Sequence, residues 1–97
     1  MNIKAIGLVE VEGSVAAVDA LDIMGKAANV ALVTIERKLG GRLVTVVVSG
    51  DVSDVTAAVD AVKSGCIMKP VASAVIASPH SETKRILEIS ARNHNIE

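Results

Sequence analysis

Apolar and polar residues alternate along several stretches of the chain. Leu43 to Ser49 is the clearest stretch, because Val44, Val46 and Val48 would all lie on one face. A period of two residues is typical of a strand with one buried face. The same alternation ends the segment 3–12, and two further segments are rich in β-branched residues. We predict strands at residues 3–12, 30–37, 43–49 and 71–77.

Other segments have the wider spacing of amphipathic helices. Residues 15–28 place Ala17, Leu21, Met24 and Ala28 on one stripe. A second helix follows Gly50-Asp51 and ends near Gly65. Its single apolar seam consists of Val52, Val55, Val59 and Val62. We predict a third, short and polar helix at residues 82–91.

Local signals refine the first helix. Ser14 is a candidate N-cap, because a serine hydroxyl can accept a hydrogen bond from an unpaired backbone N–H group. Asn29 is a candidate for the left-handed residue that often ends a helix. Asp22 and Lys26 stand in the favourable i,i+4 order for an ion pair.

The predicted order is β-α-β-β-α-β followed by a terminal helix. This order predicts an α+β fold of the ferredoxin-like type, with helices on one face of a four-stranded antiparallel sheet and a short C-terminal helix. We expect one domain over residues 1–97, with its core at about 3–91 and a tail at 92–97.

The composition indicates self-association. Of the residues, 51% are hydrophobic, yet the chain has no Phe, Tyr or Trp. A domain of this size buries only about 60–65% of the surface that its unfolded chain exposes. We therefore expect copies of the chain to cover part of one another's apolar surface.

Charge and cysteine content disfavour several partners and locations. The net charge is −1, without the basic stripe and stacking aromatics that nucleic-acid binding requires. The longest charge-free stretch, Pro70 to Ser81, is too short and too polar to cross a membrane. A single cysteine, Cys66, cannot form an internal disulfide, which fits a cytoplasmic location.

The residue types that carry catalysis or bind metals are sparse. His80 and His94 are interpreted as exposed histidines of a loop and the tail, and Cys66 as a small apolar filler. No Cys-x-x-Cys or His-x-x-x-His spacing occurs, so we expect no metal and no cofactor. Most acidic residues, Glu10 and Glu12 among them, are interpreted as solvated, and Asp51 and Asp54 as residues near a helix start, where the helix dipole favours them. The sequence therefore favours a protein that is not an enzyme.

Three ordered motifs resemble the small, hexamer-forming shell proteins of bacterial microcompartments, the single-domain BMC family. Residues 7–28, GLVEVEGSVAAVDALDIMGKAA, match the opening of that family. Residues 44–52, VTVVVSGDV, are similar to its V-T-V-x-V-x-G-D-V motif, and Pro79-His80 matches the end of its R-P-H motif. The resemblance covers residues 5–81.

The resemblance implies a structural role. Family members form flat cyclic hexamers that tile into a shell in the cytoplasm, with a central pore through each hexamer. The implied partners are further copies of the chain, other shell proteins, enclosed enzymes and small metabolites that cross the pore.

The resemblance also assigns residues to the pore. The family's pore loop corresponds here to Lys38, Leu39, Gly40, Gly41 and Arg42. The loop has one residue more than the common pattern, so the narrowest point is expected at Gly41, with Gly40 as the alternative. Six lysines and six arginines around an axis would favour small polar, neutral or anionic metabolites. Alternatively, these side chains point outward to solvent.

A second set is implied at the contact between hexamers: Lys26, Asn29, Ser78, Pro79 and His80. Lys26 matches the family's edge lysine, whose stem can pack on apolar surface while its head reaches backbone carbonyls. Ser78 replaces the arginine that the family has before Pro-His. This difference removes a donor that would bridge neighbouring hexamers.

Two other classes of protein remain open at this point. One is a regulatory ferredoxin-like domain that binds a ligand between the subunits of an oligomer. The other is a small acyl-phosphate hydrolase, which would need an arginine in the loop after the first strand. Residues 11–14, Val-Glu-Gly-Ser, contain none.

Overall fold

The computed structural model of the protein describes residues 4–37, 42–66 and 69–80. Its elements are β1 (Ala5–Glu12), α1 (Ser14–Ala27), β2 (Ala31–Arg37), β3 (Leu43–Gly50), α2 (Val52–Gly65) and β4 (Ala72–Ala77). The four predicted strands and the first two predicted helices are confirmed, with bounds that differ by at most about two residues. The helix predicted at 82–91 lies outside the described residues.

The strands form one antiparallel sheet in the order β2-β3-β1-β4. This order, together with the β-α-β-β-α-β sequence of elements, confirms the ferredoxin-like α+β fold. The two central strands are paired with Val9 opposite Val46 and Val11 opposite Val44. The sheet therefore has valines facing one another across its middle, which is a favourable cross-strand arrangement.

The main core lies between the helices and one face of the sheet. Apart from Met24, the buried members of this cluster are alanines and valines, and the chain has no aromatic residue to fill the space. Helix α2 contributes Val55, Val59 and Val62, as its predicted seam requires, whereas Val52 at the start of the helix is exposed. Helix α1 buries Met24 and three alanines.

The opposite face of the sheet carries a second apolar cluster. Ile6, Val33 and Val47 are buried there, and Leu8 packs against them. On β1, the residues of this face alternate with those of the main core, so the strand is buried on both sides over most of its length. Strand β1 is also a central strand, because β3 and β4 pair with its two edges.

The chain runs back and forth between two ends of the sheet. We call the first the hairpin end, where β1 joins α1, β2 joins β3 and α2 joins β4. The Gly13 N–H donates to the Arg42 carbonyl oxygen at 2.7 Å, and the Val71 N–H donates to the Glu10 carbonyl oxygen at 2.8 Å. These bonds tie the connections of the hairpin end to one another.

The second end, which we call the exit end, holds the start of β1 and the end of β4. The Ser78 N–H donates to the Lys4 carbonyl oxygen at 3.1 Å, and the Lys4 ammonium lies 3.4 Å from Asp51. The Asn29 N–H donates to the Asp54 carboxylate at 3.4 Å. The exit end is therefore also joined by contacts between connections that are distant in sequence.

Two local expectations are wrong. Helix α1 begins at Ser14 itself, with Gly13 as its N-cap and no side-chain cap hydrogen bond. Gly13 has φ +91°, which favours glycine, and its N–H bonds to Arg42, so the turn geometry rather than a hydroxyl starts this helix. Asn29 is not left-handed, because α1 ends through an extended Ala28.

Candidate functional site

The five residues expected at the contact between hexamers all belong to the exit end. Lys26 lies in the last turn of α1, Asn29 follows that helix, and the segment 78–80 follows β4. Because α1 and β4 both finish at this end, residues distant in sequence come to the same side of the molecule. Pro79 is buried, whereas the other four residues are exposed. Pro79 therefore fixes the backbone beside His80 instead of offering its own ring to a neighbour.

Lys26 is held by a side chain of its own helix. Its ammonium group lies 2.9 Å from the Asp22 carboxylate, which confirms the predicted i,i+4 ion pair. The hydrogen bond from Lys26 to Asp22, and then the charge of Asp22, raise the pKa of Lys26 above its usual 10.5. Both side chains are more than half exposed. The lysine is thus a fixed surface cation whose orientation depends on an acidic residue one turn earlier.

Ser78 has an unusual backbone conformation. Its φ is 55°, in the left-handed region, and it is the one non-glycine residue with positive φ among the described ranges. This conformation turns the chain out of β4 and directs the Ser78 N–H to Lys4. A side chain at position 78 is therefore presented at a sharp turn on the exposed surface.

Arg42 is the described member of the expected pore residues, and it lies at the hairpin end. Its side chain is exposed, and its carbonyl oxygen is bound by the Gly13 N–H. Helix α1 begins at Ser14, directly after Gly13, and its N-terminus carries the positive end of the helix dipole. The first turn of α1 contains no acidic residue to offset that charge. Lys38, Leu39, Gly40 and Gly41 lie outside the described residues.

The described residues hold no arrangement typical of a catalytic or metal centre. In residues 4–37, 42–66 and 69–80, no three His, Cys, Asp or Glu side chains group closely enough to bind a metal ion. Cys66 packs against the main core, as its interpretation as a filler expects, and its thiol also donates a hydrogen bond to the Ala16 carbonyl oxygen at 3.9 Å. Within the same ranges, no helix has the length and apolar content to cross a membrane.

Several exposed valines were not singled out in the sequence. Val15 and Val18 project from α1, Val75 lies within β4, and Val71 directly precedes that strand. A signal was present, because Val15 and Val18 lie off the apolar stripe predicted for α1. The sequence alone does not show that the predicted stripe is the buried face of α1, and this knowledge is needed to infer that Val15 and Val18 are exposed.

The fold and its two ends define a small ferredoxin-like domain with exposed apolar residues and, in its described parts, no group of side chains that could bind a metal ion. Comparison with known proteins gives the family. The family model of the BMC domain matches residues 5–79. The chain therefore belongs to the BMC domain family.

Individual relatives cover nearly the whole chain. The bacterial microcompartment shell protein PduA of Citrobacter freundii is 45% identical over 89 residues, which span 90% of this chain and 95% of the relative. The carboxysome shell protein CsoS1A of Hydrogenovibrio crunogenus is 41% identical over 91 residues, 91% of this chain and 94% of the relative. Both relatives are named as shell proteins.

A solved structure agrees with the fold. A microcompartment protein from Desulfitobacterium hafniense DCB superposes with a TM-score of 0.77 at 27% sequence identity. The alignment covers 92% of this chain and 49% of that one, so this chain spans about half the length of the solved protein.

Proposed function

We propose that this chain is a structural shell protein of a bacterial microcompartment in the cytoplasm. Six copies close into a ring, and rings tile edge to edge with one another and with other shell proteins around enclosed enzymes. The observation that carries this proposal is the similarity, over about nine-tenths of the chain, to relatives named as shell proteins. The chain itself has no catalytic role in this proposal.

Measurement of mass in solution tests the ring. Six chains of 10.0 kDa form a particle of about 60 kDa, which light scattering after size-exclusion chromatography distinguishes from smaller forms. A stable monomer or dimer in native buffer would remove the basis of the proposal. Dimers or tetramers whose melting temperature rises with a metabolite would instead favour the regulatory domain.

The exit end supports a role in tiling. Lys26 is exposed, charged and oriented by Asp22, and the exposed residues Asn29, Ser78 and His80 belong to the same end. We expect Lys26→Ala to leave the ring intact and to weaken the formation of extended sheets seen by negative-stain electron microscopy. Asp60→Ala, which removes an exposed charge from α2, is the matched control. Equal sheets from wild type and Lys26→Ala would contradict this role.

The hairpin end supports a role in transport. Arg42 and the N-terminus of α1, whose first turn has no acidic residue, lie side by side, and in a ring with this end at its centre both are repeated six times. In this proposal Lys38, Leu39, Gly40, Gly41 and Arg42 line the opening, which favours small polar or anionic metabolites over cations.

Conductance through single rings in a bilayer tests that preference. We expect anion selectivity in the wild type, and we expect it to fall in Lys38→Ala, Arg42→Ala and their combination. Glu12 also belongs to the hairpin end and is exposed, so Glu12→Gln is expected to change selectivity in the opposite direction. Cation selectivity that none of these changes affects would show that the basic side chains point away from the opening.

A further inference from the structure

The ion pair between Asp22 and Lys26 is close enough for a direct hydrogen bond. The Lys26 ammonium lies 2.9 Å from the Asp22 carboxylate, whereas the Lys4 ammonium lies 3.4 Å from Asp51. The shorter pair is a charge-assisted hydrogen bond, and that bond is the main reason for the raised pKa of Lys26. Asp22 therefore acts directly on the lysine that the family resemblance assigns to the contact between rings.

The pairing restricts the head of the lysine. A lysine has a long flexible stem, and it loses conformational freedom when a contact orders it. Here Asp22, one helical turn earlier, already orders the side chain within its own subunit. Because a lysine ammonium has three N–H donors and Asp22 takes one, two donors remain for acceptors in a neighbouring ring. Less freedom is then left to lose when two rings meet.

The pairing also balances charge at the edge of a ring. In a flat sheet of identical rings that face the same way, a two-fold axis relates neighbouring edges, so each edge meets the same surface. In the proposed tiling, Lys26 and its copy approach each other across this axis. Two ammonium groups repel, whereas two Asp22–Lys26 pairs have no net charge. Asp22 thus removes a repulsion that the lysines alone would bring to the contact.

Other acidic residues of the exit end are held by different partners. Asp51 pairs with Lys4, and the Asp54 carboxylate accepts a hydrogen bond from the Asn29 N–H. Both acids stand at the start of α2, where the positive end of the helix dipole also favours them. Their charges are balanced by these groups, and the charge of Lys26 is balanced by Asp22.

We propose that Asp22 is a positioning residue for the contact between rings. Its carboxylate fixes the Lys26 ammonium and neutralises its charge, so that two lysines can approach across one edge. This inference rests on the proposed function, because it concerns how Lys26 takes part in tiling. The response of tiling to salt is then determined by residue 22.

The variant Asp22→Asn tests the charge, because asparagine has the shape of aspartate but cannot form an ion pair. We expect hexameric rings by light scattering, since the Asp22 side chain is 58% exposed and lies outside the core. The protein concentration at which sheets appear by negative-stain electron microscopy should rise by about two- to fivefold, the range that an exposed ion pair supports. Asp22→Glu keeps the charge and should restore the wild-type concentration.

Salt distinguishes a loss of charge balance from a general loss of stability. The screening length falls from about 10 Å at 0.1 M salt to about 3 Å at 1 M. Repulsion between unpaired lysines weakens over this range, so the sheet-forming concentration of Asp22→Asn should approach that of the wild type at the higher salt concentration. A variant that is merely less stable would keep the same disadvantage at both salt concentrations.

A second background identifies Lys26 as the residue through which Asp22 acts. Lys26→Met keeps a long side chain and removes the charge. In that background Asp22→Asn should weaken sheets no further, because no ammonium group remains to be fixed. Asp60→Asn, which removes an exposed acid from α2, is the matched control and should form sheets at the wild-type concentration at both salt concentrations.

The outcomes separate the two proposals. A wild type that forms no hexamer, or sheets that do not depend on Lys26, contradict the tiling in the proposed function. Sheets that depend on Lys26 but form equally well with Asp22→Asn contradict only the role of Asp22. The same role is contradicted when Asp22→Asn weakens sheets equally in the Lys26→Met background, or when high salt leaves its disadvantage unchanged.

Discussion

Individual residues of β1 determine how closely the sheet approaches α2. A Cβ atom added at Gly7 would lie 2.8 Å from a methyl carbon of Val55 and 2.9 Å from one of Val59. Both distances are shorter than any ordinary contact between carbon atoms, and β-branched side chains cannot easily rotate away. Gly7 is therefore a position where the absence of a side chain allows the helix to pack.

Replacing Gly7 with alanine should force α2 and the sheet apart. We expect Gly7→Ala to lower the free energy of unfolding by about 1–3 kcal/mol, the usual cost of adding volume to a packed core. Urea denaturation at one fixed protein concentration measures the change, because assembly also contributes to stability.

Gly25 provides the matched control for this change. It lies within α1, and a Cβ atom there would meet nothing within 4 Å. Gly25→Ala should stabilise the protein by up to about 1 kcal/mol, because alanine has the higher helix propensity. If Gly7→Ala is neutral or stabilising as well, the close approach of α2 to the sheet does not exist in solution.

At the scale of elements, α2 shows how much a pattern can establish. The spacing of its four valines predicts both the helix and its buried seam, and three of them are buried as expected. The exposure of Val52 follows from its place at the first residue of the helix, next to the Asp51 cap. Periodicity indicates which residues share a face, but not where along that face the contact with the sheet begins.

The seam offers a matched pair of substitutions. Val59 is 3% exposed and Val52 is 49% exposed, although both lie on one helix. We expect Val59→Ala to lower the free energy of unfolding by about 2 kcal/mol, through lost burial and a residual cavity. Val52→Ala should change it by less than about 0.5 kcal/mol. Thermal unfolding followed by circular dichroism measures both, and equal effects would be inconsistent with the observed burial.

The ends of α1 could not be predicted, because contacts with residues distant in sequence determine their conformation. Ser14 was a reasonable cap by residue type, but Gly13 has the positive φ and bonds to Arg42, which lies far away in sequence. Similarly, the Asn29 N–H reaches the Asp54 carboxylate, 25 residues later. The local preferences of Ser14 and Asn29 are therefore outweighed here by contacts between distant parts of the chain.

At the scale of the whole molecule, the residues expected at the pore and at the contact between rings come from the resemblance to a family. The pattern of apolar and polar residues does not predict them. Alternation and periodicity predict the elements, and the β-α-β-β-α-β order predicts the sheet. They do not indicate which exposed residues another subunit covers. Val15 and Val71 illustrate this gap, since only the structure shows that both are exposed.

The exit end also yields a prediction about assembly. Ser78 is exposed at a left-handed turn where the family resemblance implies an arginine. We expect Ser78→Arg to strengthen tiling, because an arginine offers five N–H donors to carbonyl groups of a neighbouring ring. The protein concentration at which sheets appear by negative-stain electron microscopy should fall.

Ser78→Ala is the control, because it adds no donor at the same unusual backbone position. We expect it to leave that concentration unchanged. An arginine variant that forms sheets no more readily than the alanine variant would show that position 78 does not face another ring.

The chain runs back and forth along the sheet, so its connections fall into two separate groups, one at each end of the sheet. Gly13, Arg42 and Val71 belong to the hairpin end, whereas Lys4, Asn29, Asp51 and Ser78 belong to the exit end. Insertions or exchanges in one group can therefore be made without altering the other. Under the proposed function, substitutions at the hairpin end would change which molecules pass through a ring without altering the contacts between rings, and substitutions at the exit end would do the reverse.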